Sequence, residues 1–487
     1  MTVYHDILAK AREYQRRNGN SAKAASPAPV NRIVGAAEPE VADDLPLEGV
    51  AEWPAPLGPA ASPGLLGDIL GTIGPETEAD PAALLVHNLV FYGSCINRTA
   101  YFPVGRTRHH TNLFALAVGP TSEGRKGTAR DDAARLFSDI DPEWLTRRCP
   151  SGLATGEGLI HAVRDPSFGE PGQDGKPGSV VDPGVTDKRL CVFEAEYAAP
   201  LRLMCKQGST LGATLRSAWD RGELANLSKN SGEVATGAHI SVIGHISVEE
   251  LRAELNTTDA ANGFINRHLL VMVRRARVLP EGGNVAADRL VPLVRGLRAA
   301  VEFGRTTAEV CRDAAARAHW ESVYDELSTR GPGLLGAVLG RAEAQVARLS
   351  LVYALLDRSR VIGDRHLCAA LEFWRYCAES GRFIFGERLG DPLADKVLGF
   401  LRSAVAGLTR GEIFDKLSHN VARERITGAL RKLAGFGQVR QEIVPTSGRP
   451  IERWHAIRRA GLKAFNESGV GGCVPARERE PGEELGQ

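Results

Sequence analysis

The stretch Asn112-Leu113-Phe114-Ala115-Leu116-Ala117-Val118-Gly119-Pro120-Thr121-Ser122-Glu123-Gly124-Arg125-Lys126-Gly127-Thr128 decides the reading of this chain. Asn112 to Val118 is an apolar run that reads as a buried strand. Gly119 to Thr128 is a Gly-rich turn carrying a Lys and a Thr. Arg130 to Ile140 mixes charged and apolar residues as a helix does. Strand, Gly-rich turn and helix form the layout of a phosphate-binding P-loop, in which backbone N–H groups and a helix N-terminus face an anion and a Lys adds positive charge. The spacing departs from G-x-x-x-x-G-K-[ST]. Gly119 and Gly124 are correctly separated, but Arg125 stands at the Lys position, Lys126 comes one place late and Thr128 two. Either the loop has another register, or Arg125 and Lys126 share the phosphate. The plainer reading is a basic turn between a strand and a helix.

Outward from this stretch, further apolar runs recur. Leu190 to Phe193, His239 to Ile246 and His268 to Val273 read as strands, and Ser247-x-x-Glu250 as a capping box that starts a helix. Pro81 to Tyr92 reads as an apolar helix. Strands alternating with helices predict an α/β fold with a mostly parallel, doubly wound sheet. From Ala286 to Glu387 the pattern is helical. Beyond Asp391 come three helical segments, the second opened by the capping box Thr409-x-x-Glu412. Two strand-like runs follow, Gln438 to Val444 and Ile451 to Ile457, in the order of a winged helix-turn-helix. The expected division is an N-terminal helix and flexible linker over 1–62, a core over 63–285, a helical subdomain over 286–388, a winged helix over 389–460 and a disordered tail over 461–487. Asp165 to Lys188, crowded with Gly, Pro and Asp, reads as a surface insertion.

Composition bounds function loosely. The 487 residues are 43% hydrophobic and 24% charged, as in ordinary globular proteins, and the net charge of +1 gives no global pull toward nucleic acid. The eight Cys are scattered without C-x-x-C pairing, which suits a reducing compartment. With no signal core at Met1 to Asn18 and no window approaching a membrane span, a cytoplasmic protein is expected.

A P-loop needs an acidic partner for magnesium and water. The strand Leu190 to Phe193 ends in Glu194-Ala195-Glu196: Glu194 stands where a magnesium-holding acid belongs, and Glu196 is the candidate general base. The usual first acid is Asp, and ordinary strand-end charges are the plainer alternative. His245, at the end of the third strand, is a candidate γ-phosphate sensor, or a His satisfied within the sheet. Arg267, Arg341 and Arg348 are candidate arginines for a transition state, with Arg274 and Arg275 at a strand end. Residues 391–460 hold 13 Lys and Arg against seven Asp and Glu, a net of +6. Arg423, Arg425, Arg431 and Lys432 on the third helix, with Arg449 and Arg453 on the wing, fit a helix in a DNA groove. Lys229 and Asn230 lie in a polar loop that suits contact with a strand passing through a ring.

The turn Val118 to Thr128, with Leu190 to Tyr197, Thr236 to Ile246 and Ala261 to Arg267, resembles a family of uncharacterised RecA-like ATPases of phages, plasmids and actinobacterial genomes. Its members are described as helicase-like and often neighbour or are fused to primase-polymerase modules. The resemblance covers roughly Gly67 to Phe385, and the Arg-Lys-Gly-Thr variant looks like the family's own pattern. It implies a RecA-like P-loop NTPase core using ATP and Mg2+, with Arg125, Lys126 and Thr128 on phosphates and metal. It also implies a homo-oligomer, with a hexamer as candidate, acting on DNA during replication of phage- or plasmid-type elements. No primase module is visible. The alternative is a DNA-binding regulator or replication accessory protein with a weak or inactive nucleotide site.

Overall fold

Four strands form the central sheet: β1 (Phe114–Val118), β2 (Arg189–Glu194), β3 (His239–Ile246) and β4 (His268–Met272). They lie side by side in the order β4-β1-β3-β2, and every pairing is parallel. The computed structural model describes residues 52–169, 179–226, 232–255, 263–329, 333–386, 391–445 and 450–457. The N-terminal helix and most of the linker, Lys229, Asn230, Arg449 and the tail expected over 461–487 lie outside the described residues, as does the middle of the 165–188 insertion.

Period-2 alternation assigns β1 to two cores. Phe114, Leu116 and Val118 enter one apolar cluster, and Ala115 and Ala117 enter the other. The small Ala side chains leave room for α1 (Pro81–Cys95), whose every residue after Pro81 is buried. A helix apolar on all sides has to be enclosed in this way. Its start is fixed by Asp80, which accepts a hydrogen bond from the Ala82 N–H, and by Pro81 in the first turn. On the same face of the sheet, α2 (Lys126–Ser138) buries Ala129, Ala133, Leu136 and Phe137. The expected capping box opens α3 (Val248–Glu254): the Ser247 hydroxyl accepts from the Glu250 N–H, and the Glu250 carboxylate accepts from the Ser247 N–H.

The helices after residue 286 share the core of the sheet. They include α4 (Ala287–Thr306), α5 (Ala314–Ser328), α6 (Ala342–Leu356) and α7 (Asp364–Phe385). Strand β4 is a sheet edge, and α7 covers its end. The Tyr376 hydroxyl donates to Met272 O at 2.7 Å, and Met272 N–H donates to the Ser380 hydroxyl at 3.0 Å. A buried edge strand needs such partners for its backbone.

The C-terminal part has its own apolar cluster, including Val397, Leu401, Ile413, Ile426, Leu430 and Trp454. Its order is α8 (Pro392–Ser403), β5 (Leu408–Thr409), α9 (Arg410–Lys416), α10 (Arg423–Gly435), β6 (Val439–Val444) and β7 (Ile451–Ala456). The strands form an antiparallel sheet in the order β5-β7-β6. Among the described residues, no helix is long and apolar enough to cross a membrane.

Candidate nucleotide site

Chain order and sheet order together locate a crevice. The connection leaving β1 moves two places to β2, and the one leaving β3 moves two places the other way, to β4. Such a reversal opens a crevice at the carboxyl ends of the two strands, where ligands of open α/β sheets bind. The turn 119–125 lies there. Gly119 N–H donates to Ile246 O at 3.1 Å, and Val273 N–H donates to Val118 O at 2.8 Å. A Cβ at position 119 would stand 2.1 Å from Val273 O, so this close approach requires glycine.

The turn closes through Gly124 N–H to Pro120 O (3.2 Å), and α2 starts at Lys126 with no side chain capping it. The Lys126 ammonium folds back to donate to Gly119 O at 2.7 Å and Pro120 O at 3.0 Å. Burial pushes its pKa down, while Glu250 pulls the other way. Arg125 has a left-handed backbone (φ 47°), and its side chain turns outward to Glu78, 2.6 Å away. Glu78 also meets Arg275 at 3.5 Å. In this structure Lys126 takes the loop carbonyls, and the Arg125 side chain pairs with Glu78. Gly127 and Thr128 follow in the first turn of α2, both exposed. At 3.6 residues per turn, Thr128 is rotated about 200° from Lys126, so the two do not share a face.

Glu194 ends β2. Its carboxylate accepts from Gly152 N–H at 2.6 Å and from Leu153 N–H, so it is engaged by a neighbouring loop. Glu196 is exposed, with no side-chain partner among the described residues. His245 lies between these elements, 3% exposed, with Nε2 3.0 Å from His87 Nε2. His87 Nδ1 is 2.7 Å from Ala83 O. A carbonyl only accepts, so His87 carries its proton on Nδ1, and its Nε2 accepts the Nε2–H of His245. Burial, with Lys126 and Arg130 nearby, holds His245 down to about 2, and burial holds His87 down to about 4. Both rings are neutral at pH 7. In this pairing the remaining His245 nitrogen is an acceptor.

The candidate arginines gather at the opposite, amino-terminal end of the strands, around Trp219 and Asp220. Arg348 is 1% exposed and stacks 3.7 Å over the Trp219 ring. It donates to Asn112 O (2.8 Å), Asn112 Oδ1 (2.7 Å) and Trp219 O (2.6 Å). Arg267 is 5% exposed, pairs with Asp220 at 2.6 Å and donates to Gly263 O. The Arg348 guanidinium cannot leave without stranding buried acceptors, whereas the Arg267 partners Asp220 and Gly263 are part-exposed. Arg341 meets Asp220 at 3.3 Å and remains about one-third exposed.

On α10, Ile426, Ala429, Leu430 and Leu433 face the core, while Arg423, Arg425, Arg431 and Lys432 are exposed. Lys432 pairs with Asp391 at 3.0 Å, and Arg423 lies 5.0 Å over the Phe414 ring. Arg425 and Arg431 have no side-chain partner among the described residues. Arg453 on β7 donates to Ala406 O and Gly407 O.

Sequence reasoning missed His87, Glu78 and Arg130. His87 did carry a signal, a lone ionisable residue inside the apolar run Pro81 to Tyr92. Arg130 lies 5.1 Å over the Phe193 ring, beside the β2 acids. No family model matches the chain, and comparison with curated proteins finds no significant match.

Proposed function

We propose that the crevice at the ends of β1 and β3 binds the phosphates of ATP and that the protein is a DNA-associated ATPase, a helicase-like motor or switch. In this reading residues 63–285 are a RecA-like P-loop core, and residues 389–460 are a winged helix. The chain assembles as a homo-oligomer, with a hexameric ring as the candidate. Lys126 is the phosphate-binding cation, the first turn of α2 supplies backbone N–H groups, and Glu196 activates water. Mg2+ would be held, weakly, by Glu194 and Glu196 at the end of β2, with Thr128 turned to another face of α2 than Lys126. Of Arg267, Arg341 and Arg348, Arg341 is the one exposed enough to reach a neighbouring subunit. Arg425 and Arg431 meet DNA phosphates. The observation that carries the reading is the Lys126 ammonium resting on Gly119 O and Pro120 O at a topological switch point. A phosphate would displace those two carbonyls.

The test is phosphate release from ATP with and without single- or double-stranded DNA, beside Lys126→Ala. DNA-stimulated turnover abolished by the substitution is expected. Equal activity in both proteins would sink the proposal.

A second reading is a DNA-binding regulator with a weak or inactive nucleotide site. Two observations favour it: Glu194 is occupied by loop amides, and glycine stands at 127, directly after the lysine. Wild type without turnover, yet retaining DNA in a salt-dependent way that is lost on deleting 391–487, would select this reading.

A further inference from the structure

We propose that His319, Asp364 and Cys368 bind a divalent ion of the zinc class and that the ion staples α5 to α7. The framework is set by local pairing. Cys311–Arg312 and Val361–Ile362 form a short parallel ladder, and Asp313 N–H donates to Ile362 O at 3.1 Å. Asp313 then caps α5 by accepting from Ala316 N–H, and α7 begins just after its own strand. The two helices therefore start level. His319 lies in the second turn of α5. Asp364 and Cys368 lie one turn apart on one face of α7.

Their ligand atoms converge within 4.8 Å of one another. His319 Nδ1 is 2.7 Å from Asp364 Oδ1 and 3.9 Å from Cys368 Sγ, and Cys368 Sγ is 3.6 Å from Asp364 Oδ2. Tetrahedral zinc with ordinary bond lengths needs about 3.6 Å from sulfur to either other ligand and about 3.4 Å from nitrogen to oxygen. Two of the three separations are already close. The third opens by about 0.7 Å when the ion replaces the proton between His319 and Asp364 and the carboxylate rotates. An Asp–His hydrogen bond accounts for two of these groups. The Cys368 thiol, on the Asp364 carboxylate, brings a third donor type to the same point.

The donor set fixes the class of ion. Imidazole nitrogen with thiolate sulfur suits zinc, cobalt or a similar borderline metal, and excludes a Mg2+-type role. On binding, the Cys368 thiol proton goes to solvent as the ion takes its place on sulfur. The His319 proton moves from Nδ1 to Nε2, so one proton leaves per ion. Access is open, since the His319 and Asp364 side chains are 23% and 47% exposed, and water completes the fourth position. The site lies about 24 Å along α7 from Ser380, whose hydroxyl meets the end of β4. It is therefore separate from the Lys126 turn, and the proposal does not depend on the nucleotide reading.

The experiment is a Co2+ titration of the full chain with Cys205, Cys311 and Cys473 replaced by Ser. One Co2+ per chain is expected, with a thiolate-to-cobalt charge-transfer band and the intense visible bands of tetrahedral cobalt, all removed by one equivalent of Zn2+. Cys368→Ser should abolish the charge-transfer band. His319→Asn should weaken binding at least about tenfold. Zn2+ should raise the thermal midpoint of the parent and leave both variants unmoved. Absence of the thiolate band, or its survival in Cys368→Ser, would overturn the proposal. If Cys368→Ser does not give the parent circular dichroism, His319→Asn and Asp364→Asn decide: unchanged Co2+ affinity in both overturns it, and weakened affinity in both supports it.

Discussion

Lowering the pH from 7 to 5.5 should remove about 7–8 kcal/mol of folding stability. Among the described residues six histidines are held without charge: the buried His87, His110, His239, His245 and His268, and the part-buried His109. Burial is the largest cause in each case, and it holds them down to about 4, 2, 3, 2, 3 and 4 respectively. Unfolded, each returns to about 6.5. The folded values are depressed, so between pH 6.5 and 4 the unfolded chain binds protons that the folded chain refuses. Stability therefore rises with pH and is lost as pH falls. Each ring contributes about 1.3 kcal/mol of loss between pH 7 and 5.5, and six give about 7–8 kcal/mol. Paired carboxylates such as Asp141 and Asp187, whose pKa values are pulled down, lose their contribution only nearer pH 4 and stay out of this window. The assay is urea unfolding at both pH values, with proton uptake on unfolding at pH 5.5 measured in weakly buffered solution. About five to six protons should be taken up. Fewer than about two, or equal stability at the two pH values, would mean that several of these rings are charged in the fold. The neutral His87–His245 pair would then fail with them.

Three further outcomes follow from single contacts. Arg348→Met should cost about 3–5 kcal/mol, because three buried acceptors lose their donor, while Arg341→Ala should cost under about 1 kcal/mol; thermal unfolding ranks them, and the reverse order would return Arg348 to the list of mobile arginines. Gly119→Ala should destabilise by about 2–3 kcal/mol, since its methyl meets the Val273 carbonyl, and an unchanged denaturation midpoint would refute that close approach. Gly127→Ala should instead stabilise by about 0.5–1 kcal/mol, because a Cβ there meets nothing within 4 Å; a loss of stability would show that the helix start is misjudged.

What the sequence revealed was local, and what it hid was distant. Each strand of the sheet announced itself as an apolar run, and both capping boxes formed as their Ser/Thr-x-x-Glu spacing required. The two-residue strand β5 was too short to leave a pattern, although it completes the antiparallel sheet of the C-terminal part. The candidate site was legible at Gly119 and Lys126, where glycine and lysine answer to their immediate neighbours. It was illegible at Arg348, which lies 236 residues from the Asn112 it holds. Nothing near an arginine in sequence distinguishes a framework guanidinium from an exposed one. His245 was ambiguous for the same reason: its protonation is set by His87, which is 158 residues away and itself oriented by Ala83.

The displaced register of the turn has a mechanistic consequence. A non-glycine residue in the left-handed region costs about 1 kcal/mol or more, and Arg125 accepts that conformation while its side chain pairs with Glu78. The result is that α2 begins at the lysine. Lys126 keeps its place over the loop, so the extra residue does not remove the cation from the site. It does alter what comes next, because Gly127 occupies the position beside the lysine and Thr128 falls on another face. Under the proposed function, phosphate binding and metal binding are therefore separable. A nucleotide should then bind through Lys126 and the free N–H groups of α2 with little help from Mg2+. Gly127→Thr has room for its side chain and places a hydroxyl next to the lysine. It should raise the Mg2+-dependent part of nucleotide affinity without changing the Mg2+-free part. If Mg2+ already strengthens wild-type binding as much as it does in Gly127→Thr, then a carboxylate at the end of β2 holds the metal without a hydroxyl. Glu196, the free one, would be the first to replace.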